Sequence, residues 1–307
     1  MTLFQIKIII KLKKKHFNIT KTAEALNVVQ SAISRQIKLI EEDLGLPLFI
    51  KKGKRYLDFT KEGYAIYDQA LKIEQASNNI LKFSQEALQE KVGRIRIATT
   101  HTQAKYFLPK HLTRFRELYP QVSIEIEQSA PADLIKKVLE SEADIAISTE
   151  QIDQEDSLVT QFCYQWHHAL ILPKEHPLHQ YNKDNITLKE ISKYPILSYV
   201  HGFTGGGTIR NEFKKKNLDI KIGLAASDTD IIKTYVKLNF GIGIIAEMAY
   251  DPEFDHQLSL ISLEKQLPQF ETKVSYLKNA FQPKYLQRFI ELITEQSKSD
   301  DSINYPS

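Results

Sequence analysis

Residues 30–44 read QSAISRQIKLIEEDL, and this stretch decides the fold of the N-terminal part of the chain. Its apolar residues recur at helical spacing and form one stripe, made of Ile33, Ile37, Ile40 and Leu44. A second face carries polar and basic side chains, namely Gln30, Ser31, Ser34, Arg35 and Lys38. Short hydroxyls allow close approach to a DNA groove, arginine can pair with guanine, glutamine with adenine, and lysine can reach phosphate. We therefore expect a helix that reads the major groove, with a merely solvated face as the alternative.

The segments on both sides of this helix favour the DNA-binding interpretation. Shorter helices are predicted over residues 3–15 and 18–27, and only a tight break separates the second from residue 30. Two β-prone runs, 48–50 and 56–60, flank a basic turn with a glycine and predict a hairpin. Together these elements predict a helix-turn-helix followed by a wing. The cations expected to lie against phosphates are Lys51, Lys52, Lys54 and Arg55.

Charge is distributed unevenly along the chain. Residues 1–61 hold 13 Lys and Arg against 5 Asp and Glu, a net charge of +8, whereas the remaining residues carry a net charge of −5. A basic head on an acidic body indicates a polyanionic partner for the head. The alternative is that the lysines only solubilise a small domain.

A long helix is predicted from residue 61 to about residue 89, a segment without proline. Steps of four and three residues connect the members of a coiled-coil seam: Ile66, Ala70, Ile73, Ser77, Ile80, Ser84 and Ala87. We expect this helix to pair two copies of the chain so that two heads read two half-sites. The alternative is an amphipathic helix that packs on its own domain.

Beyond Gly93 the predicted strands and helices alternate, which indicates parallel sheets with crossover helices. Strands are expected over 94–99, 122–128, 144–148, 168–172, 195–199, 222–226, 243–248 and 273–276. Helices are expected over 106–118, 132–141, a segment after Gly207, 228–239 and 283–297. The tail from residue 297 to residue 307 is expected to be disordered.

Hydroxyl-bearing residues follow several of these strands. Residues 99–103 read TTHTQ, Thr149 follows the strand at 144–148, and residues 202–207 read GFTGGG. Open parallel sheets bind ligands beyond the carboxyl ends of their strands. Threonine hydroxyls and the amides of helix N-termini suit a small anion without requiring an arginine. The alternative is that these threonines only cap helices.

An enzyme needs a site that the sequence does not provide. Residues 241–246 read GIGIIA and match a dinucleotide fingerprint, but the glycines follow a helix instead of joining a strand to one. His167 and His168 lack a carboxylate at metal-ligand spacing and are expected at a sheet edge. His101 lies beside hydroxyls without an evident acidic partner, so we expect it in a pocket wall or at the surface. We therefore expect a protein that is not an enzyme and has neither a metal nor a cofactor.

Cysteine use and hydropathy indicate a cytoplasmic location. Cys163 is the only cysteine, which excludes an internal disulfide, fits a reducing compartment and predicts a small buried hydrophobe. No stretch approaches the ~20 apolar residues that span a bilayer. The short apolar segment at 6–12 lacks a cleavage site and is expected to be a helix rather than a signal peptide. These features argue against an exported binding protein and against a membrane partner.

Four stretches of the head resemble the LysR-type transcription regulators: TAEAL at 22–26, QSAISRQI at 30–37, LIEEDLG at 39–45 and LF at 48–49. The body is similar to one branch of that family, the cysteine-regulon regulators of the CysB and Cbl type. The stretches that carry this second resemblance are ATTHTQA at 98–104, GFTG at 202–205 and DTDIIKTYV at 228–236.

The resemblance implies an α/β protein with an α-rich head. It would have a winged helix-turn-helix at 1–60, a linker helix for dimerisation at 61–90 and an effector-binding domain at 91–307. That domain would consist of two Rossmann-like lobes of the periplasmic-binding-protein type, one from 91–163 with 268–307 and the other from 164–267. Members of the family are usually tetramers.

The resemblance also implies a function, namely control of sulfur assimilation and cysteine biosynthesis genes through promoter DNA. The effector would be a small anion of the acetylserine, sulfate or thiosulfate type, and a different small anionic metabolite is the alternative. The residues that would line its pocket are Thr100, Thr102, Gln103, Thr149, Thr204 and Trp166.

One position departs from the family pattern. The family has Ser or Thr just before the glutamine of the groove-reading helix, where it can cap that helix, but this chain has Val29 there. A lost N-cap costs ~1 kcal/mol unless Ser31 or another group replaces it. The exact start of the helix therefore stays open at the level of sequence.

Overall fold

The computed structural model describes residues 1–53, 55–88, 91–149, 155–180, 186–203 and 205–295. Lys54, Thr204 and the tail predicted to be disordered lie outside these described residues. The chain divides into two compact units, Met1–Ala87 and Leu88–Ser307. Among the described residues, no helix combines the length and the hydrophobicity needed to cross a bilayer.

Three helices form the first part of the head: α1 (Leu3–Lys14), α2 (Ile19–Ala25) and α3 (Gln30–Leu44). Thr2 and Asn18 cap the first two through their side chains, which accept backbone amides of the first turn. The predicted apolar stripe of α3 is buried against α1, where Ile33, Ile37 and Ile40 have no exposed surface. Helix α3 ends at Gly45, whose φ of 67° is the left-handed conformation that glycine adopts readily.

Two antiparallel strands follow, β1 (Phe49–Lys52) and β2 (Arg55–Phe59), and they form the predicted hairpin. Phe49 pairs with Phe59 across the strands, and both rings are buried in the head core. The ring of Phe17 meets Phe59 edge-on with centroids 5.1 Å apart, which fixes the wing against the corner between α1 and α2.

The long helix α4 runs from Lys61 to Leu88. Its first turns belong to the head core, because Tyr67 and Ala70 are buried there and Ile66 is partly buried. At the start of the predicted seam, the helix thus packs on its own domain, which was the alternative to pairing two chains. Further along, Ile73 and Ile80 are exposed, with 39% and 70% of their surface accessible.

The body contains two five-stranded sheets with helices around them. Its elements are β3 (Gly93–Thr99), α5 (Leu108–Leu118), β4 (Val122–Gln128), α6 (Pro131–Leu139), β5 (Ile145–Ser148), β6 (Leu158–Trp166), β7 (His168–Pro173), α7 (Leu188–Ile191), β8 (Ile196–Tyr199), α8 (Gly206–Lys215), β9 (Ile222–Ala226), α9 (Thr229–Lys237), β10 (Ile242–Ala246), β11 (Leu258–Ser262), β12 (Phe270–Leu277) and α10 (Lys284–Thr294). A π-helical turn, Gln103–Phe107, precedes α5.

Each sheet defines a lobe. The strand order is β4-β3-β5-β12-β6 in lobe one and β11-β7-β10-β8-β9 in lobe two. The chain leaves lobe one after Trp166 and returns to it at Phe270, so two segments cross between the lobes. This two-lobed α/β body confirms the predicted fold class.

The expectation of parallel sheets holds only for part of each sheet. Strands β3, β4 and β5 are parallel neighbours, as are β8, β9 and β10, but β12 runs antiparallel to β5 and β6, and β7 runs antiparallel to β10 and β11. Strands β6 and β11 were not predicted from the sequence. Both are edge strands of mixed polarity, and β6 includes Gln161 and Gln165, so their alternation is weak.

Candidate functional site

The polar face of α3 is accessible. Gln30, Ser31, Arg35 and Lys38 are exposed and Ser34 is half-buried, while the apolar stripe on the other side is covered. Lys38 forms an ion pair with Glu42 one turn further on, with 3.4 Å between Nζ and Oε1, and both side chains remain largely in solvent. The five residues predicted to face the groove therefore share one open surface.

Val29 occupies the N-cap of α3, and its side chain makes no capping hydrogen bond. The helix nevertheless begins at Gln30, which answers the question left open by the sequence. One tertiary contact that holds it is a hydrogen bond of 3.1 Å from the Gln5 amide of α1 to the Gln36 side chain.

The basic residues of the wing are not equivalent. Lys51 donates to Glu41 at 2.9 Å, and its ammonium lies 4.9 Å from the centre of the Tyr56 ring. Lys52 and Arg55 are exposed. Of the predicted wing cations that the structure describes, Lys51 is thus folded back onto the head and the other two point to solvent.

A cleft of about 550 Å³ lies between the wing and the corner that joins α1 to α2. Its lining includes Lys15, Lys21, Lys52 and Arg55, and Gln30 of α3 is part of the wall. In the sequence, Lys15 and Lys21 contribute only to the net charge of the head, because nothing in their spacing shows that the corner faces the wing. The fold therefore extends the basic surface beyond the predicted residues.

In the body, the residues after β3 lie between the lobes. Thr100, Thr102 and Gln103 have at most 6% of their surface exposed although they are polar. The Thr102 side chain lies near the phenol of Tyr199, a fully buried residue of lobe two whose hydroxyl is 2.7 Å from the Thr229 hydroxyl and accepts the Ala246 amide at 3.1 Å. Burial raises the pKa of Tyr199 to about 12, so this phenol stays neutral and can act as both donor and acceptor.

Hydrogen bonds connect three of the predicted pocket residues. Gln103 donates to the Thr272 hydroxyl at 3.3 Å, Thr272 lies 3.1 Å from the Thr149 hydroxyl, and Trp166 donates to Thr149 at 3.3 Å. Tyr164 adds a further bond, because its phenol donates to the Gln103 carbonyl oxygen at 2.6 Å. Thr272 and Tyr164 were not predicted from the sequence, since Thr272 lies far along the chain and Tyr164 lies in a strand that was not predicted.

Aromatic rings pack beside this network. Trp166 stacks on Phe270 with 4.9 Å between ring centres, and His168 meets both rings edge-on. His168 lies in β7, an interior strand, so its predicted place at a sheet edge is wrong. Thr204, the remaining predicted pocket residue, lies outside the described residues, but its neighbour Gly205 reaches this cluster: a β-carbon there would clash with Phe270 and His168.

His101 has an acidic partner that the sequence did not reveal. Its Nε2 lies 2.9 Å from Asp230 of α9, which also accepts hydrogen bonds from Lys105 and Tyr106. Burial alone would raise the pKa of Asp230, but the bonds from Lys105, Tyr106 and His101 lower it to about 2. The carboxylate is therefore ionised at neutral pH and holds three groups of lobe one.

Donor atoms of His101, Asp228 and Asp230 also lie within 4.8 Å of one another, a spacing compatible with a metal ion. The Lys105 ammonium, 2.6 Å from Asp230, already neutralises that carboxylate, and Asp228 accepts the Ile231 amide as the cap of α9. Both acids thus have structural partners, and we assign no metal to this cluster.

Comparison with known proteins gives matches over both units. Residues 3–64 match the family described as bacterial regulatory helix-turn-helix protein, lysR family, and residues 88–298 match the LysR substrate binding domain. The transcriptional regulator SsuR of Burkholderia cenocepacia is 36% identical over 292 residues, which cover 95% of this chain and 94% of the relative. The regulator CysB of the same organism is 34% identical over 294 residues, covering 96% and 93%.

A solved structure matches the body. The cofactor-binding domain of the Cbl transcriptional regulator is 36% identical, with a TM-score of 0.63, and the match covers 66% of this chain and 89% of that structure. The relatives named here are transcription regulators, not enzymes.

Proposed function

Because this chain belongs to the LysR family of DNA-binding transcription regulators, we propose that it controls sulfur assimilation and cysteine biosynthesis genes in response to an acetylserine or sulfur oxyanion effector. The observation that carries the proposal is its similarity to SsuR, CysB and Cbl, together with the buried hydroxyl-lined segment at 100–103. The alternative is a regulator of the same type that senses a different small anionic metabolite. Promoter DNA requires the protein to act in the cytoplasm.

For DNA recognition we assign base reading to the exposed face of α3, with Gln30, Ser31, Ser34, Arg35 and Lys38 in the major groove. The wing cations Lys52, Lys54 and Arg55 would contact the phosphate backbone, with Lys51 as a weaker contributor. The cleft beside the wing would seat the same strand of the duplex. Its open cations and its continuity with Gln30 support this placement.

We assign residues 1–60 to the DNA-binding domain, 61–90 to a linker helix that pairs two chains, and 91–307 to effector binding. Apolar side chains on the second half of α4 support pairing, since Ile80 and Phe83 are 70% and 64% exposed. They belong to a stripe with steps of three and four, Ile73, Ala76, Ile80, Phe83 and Ala87, which is more apolar than the seam through Ser77 and Ser84. A homodimer would form through this stripe, and two dimers would make a tetramer.

The proposed effector pocket is built from neutral groups. Thr100, Thr102, Gln103, Thr149 and Trp166 supply hydroxyls, an amide and an indole, with Thr204 expected opposite them. Neutral donors can bind a small oxyanion when the remaining acceptors are turned to other partners. The bonds from Tyr164 and Trp166 do this, because each occupies an acceptor oxygen of the pocket.

Trp166 is the only tryptophan of the chain, so its fluorescence reports on the pocket directly. The test is a fluorescence titration of the full-length protein with O-acetylserine, N-acetylserine, sulfate, thiosulfate and benzoate. We expect a saturable change with at least one acetylserine or sulfur oxyanion. Saturation by benzoate alone would overturn the sulfur assignment and favour the alternative. A test variant is Thr149→Val, which removes the hydroxyl that Trp166 contacts. We expect it to weaken the fluorescence change on ligand addition.

Regulation requires that the effector binds one arrangement of the protein better than another. We propose that it changes the spacing and bend of DNA held by the paired heads. Linkage then demands that promoter DNA alters the affinity for the effector by the same factor as the effector alters the affinity for DNA. Equal effector affinity with and without promoter DNA would contradict this mechanism.

A further inference from the structure

Asp230, in the first turn of α9, joins the two lobes by its carboxylate. Its Oδ2 accepts from Lys105 at 2.6 Å and lies 2.9 Å from Nε2 of His101, and its Oδ1 accepts from the Tyr106 phenol at 2.8 Å. All three partners come from residues 101–106 of lobe one. One carboxylate of lobe two thus holds both ends of a six-residue segment.

The same segment contains Thr102 and Gln103, two of the residues proposed to bind the effector. It continues into the π-helical turn Gln103–Phe107, a rare geometry that occurs often at functional sites. Since His101 lies between Thr100 and Thr102, its contact with Asp230 limits where both threonines can move.

A buried ion pair of lobe two, Lys233 with Asp255, packs against Tyr106 of this segment. The Lys233 ammonium lies 5.2 Å from the centre of the Tyr106 ring, and it is itself held by Asp255 at 2.6 Å and by the Ala249 carbonyl at 2.8 Å. Lys233 and Asp255 are almost fully buried, with side-chain exposures of 8% and 1%. Tyr106 is therefore fixed from its hydroxyl end by Asp230 and from its face by a buried ion pair.

We propose that Asp230 is a positioning residue for effector binding: it clamps residues 101–106 across the lobe interface and so places Thr102 and Gln103 for the ligand. This inference rests on the proposed function of the pocket. Asp230 need not touch the ligand, and its negative charge is offset by Lys105.

The substitution Asp230→Asn has two opposing effects on the affinity for an anion, so it can test the proposal. The variant leaves the Lys105 ammonium without its carboxylate partner, so electrostatics alone would raise the affinity for an anion. Loss of positioning would lower that affinity. The sign of the change therefore separates a positioning residue from a group that only adds charge.

The experiment compares the full-length protein with Asp230→Asn, Tyr106→Phe and a matched control, Asp219→Asn. Asp219 is an exposed residue of lobe two, so its variant makes the same charge change elsewhere. The probes are sulfate and O-acetylserine, followed by Trp166 fluorescence, and amide hydrogen exchange of residues 100–107 without ligand. We expect a loss of affinity of tenfold or more and faster exchange for Asp230→Asn, smaller changes in the same direction for Tyr106→Phe, and neither for Asp219→Asn.

The proposal would be overturned if Asp230→Asn bound the probes as tightly as Asp219→Asn or more tightly. It would also be overturned if Asp230→Asn left the hydrogen exchange of residues 100–107 unchanged. Faster exchange in Tyr106→Phe supports the clamp even if Asp230→Asn does not fold. If neither sulfate nor O-acetylserine binds the unaltered protein, these two compounds are excluded as effectors, while the exchange comparison still decides whether Asp230 clamps the segment.

Discussion

The carboxylate of Glu41 in α3 binds Lys51 of the wing with one oxygen, and with the other it binds the backbone just before Lys51. Oε2 accepts from the Lys51 ammonium at 2.9 Å, while Oε1 accepts the backbone amides of Leu48 and Phe49 at 2.9 and 3.3 Å. Helix α3 and the wing are thus connected through a side chain that is only 16% exposed. We therefore expect Lys51 and its neighbour Lys52 to contribute differently to DNA binding.

We expect Lys52→Ala to weaken binding to all DNA sequences and to reduce the salt dependence of binding by about one counterion. Lys51→Ala should reduce it less, because phosphate would have to compete with Glu41 for the ammonium. Fluorescence anisotropy with a promoter fragment over a range of salt concentrations measures both slopes. Equal slopes for the two variants would show that Lys51 releases Glu41 on binding.

Arg35 is exposed in the middle of the polar face of α3. If it forks onto a guanine, Arg35→Ala should cost ~1–3 kcal/mol of binding free energy at the cognate promoter and relax the base preference at one position. Binding to a panel of single-base promoter variants measures this preference. Lys52→Ala is the control, since a phosphate contact lowers affinity for every member of the panel alike. A uniform loss for Arg35→Ala would place this side chain on the backbone.

Val29 is 68% exposed at the N-cap of α3 and makes no capping bond. Val29→Ser would supply an oxygen for a free amide of the first turn and should stabilise the head by about 1 kcal/mol. The measurement is amide hydrogen exchange of residues 30–44 in the full-length protein, which should slow. Val29→Ala, which removes the valine without adding a cap, is the control. No difference between the two variants would mean that water or another group already satisfies these amides.

The periodic spacing of apolar residues predicted the elements that bury only one face. Helix α3 and the wing follow from their apolar stripes, because each buries one face against the head core. The edge strands β6 and β11 escaped prediction because their buried positions do not alternate regularly with exposed ones: Cys163 and Trp166 are buried in β6, and Leu258 and Ile261 in β11. The antiparallel return of β12 is likewise a property of the tertiary fold, not of a local pattern.

The candidate pocket shows the same division between local and distant information. Thr100, Thr102 and Gln103 follow a strand directly, which is a position that sequence can identify. Thr272 contacts Gln103, and Asp230 contacts His101 between the two threonines, although both lie more than one hundred residues further along the chain. No spacing in the sequence predicts these contacts. Lys15 and Lys21 are a similar case in the head, where only the fold brings them to the wing.

We expect His111 of α5 to make the stability of the body depend on pH. It is 6% exposed, and burial, together with the charges of Lys110 and Arg114, lowers its pKa to about 4. The unfolded chain binds this proton near pH 6.5 whereas the folded chain resists it, so the free energy of unfolding should fall as the pH drops from about 6.5 to about 4. At about 1.4 kcal/mol per pKa unit, the loss reaches about 3 kcal/mol at pH 4.

Denaturation of the full-length protein, followed by Trp166 fluorescence, reports the body selectively because the head contains no tryptophan. His111→Gln keeps a neutral hydrogen-bond donor for the Leu292 backbone but cannot take up the proton. Its stability should therefore decline less between pH 6.5 and pH 4 than that of the unaltered chain, and the two curves should converge as the pH falls. Parallel curves would show that His111 is not protonated on unfolding and that other groups set the acid sensitivity. The difference between the curves isolates His111, because His176, whose pKa is also lowered by burial, is present in both proteins.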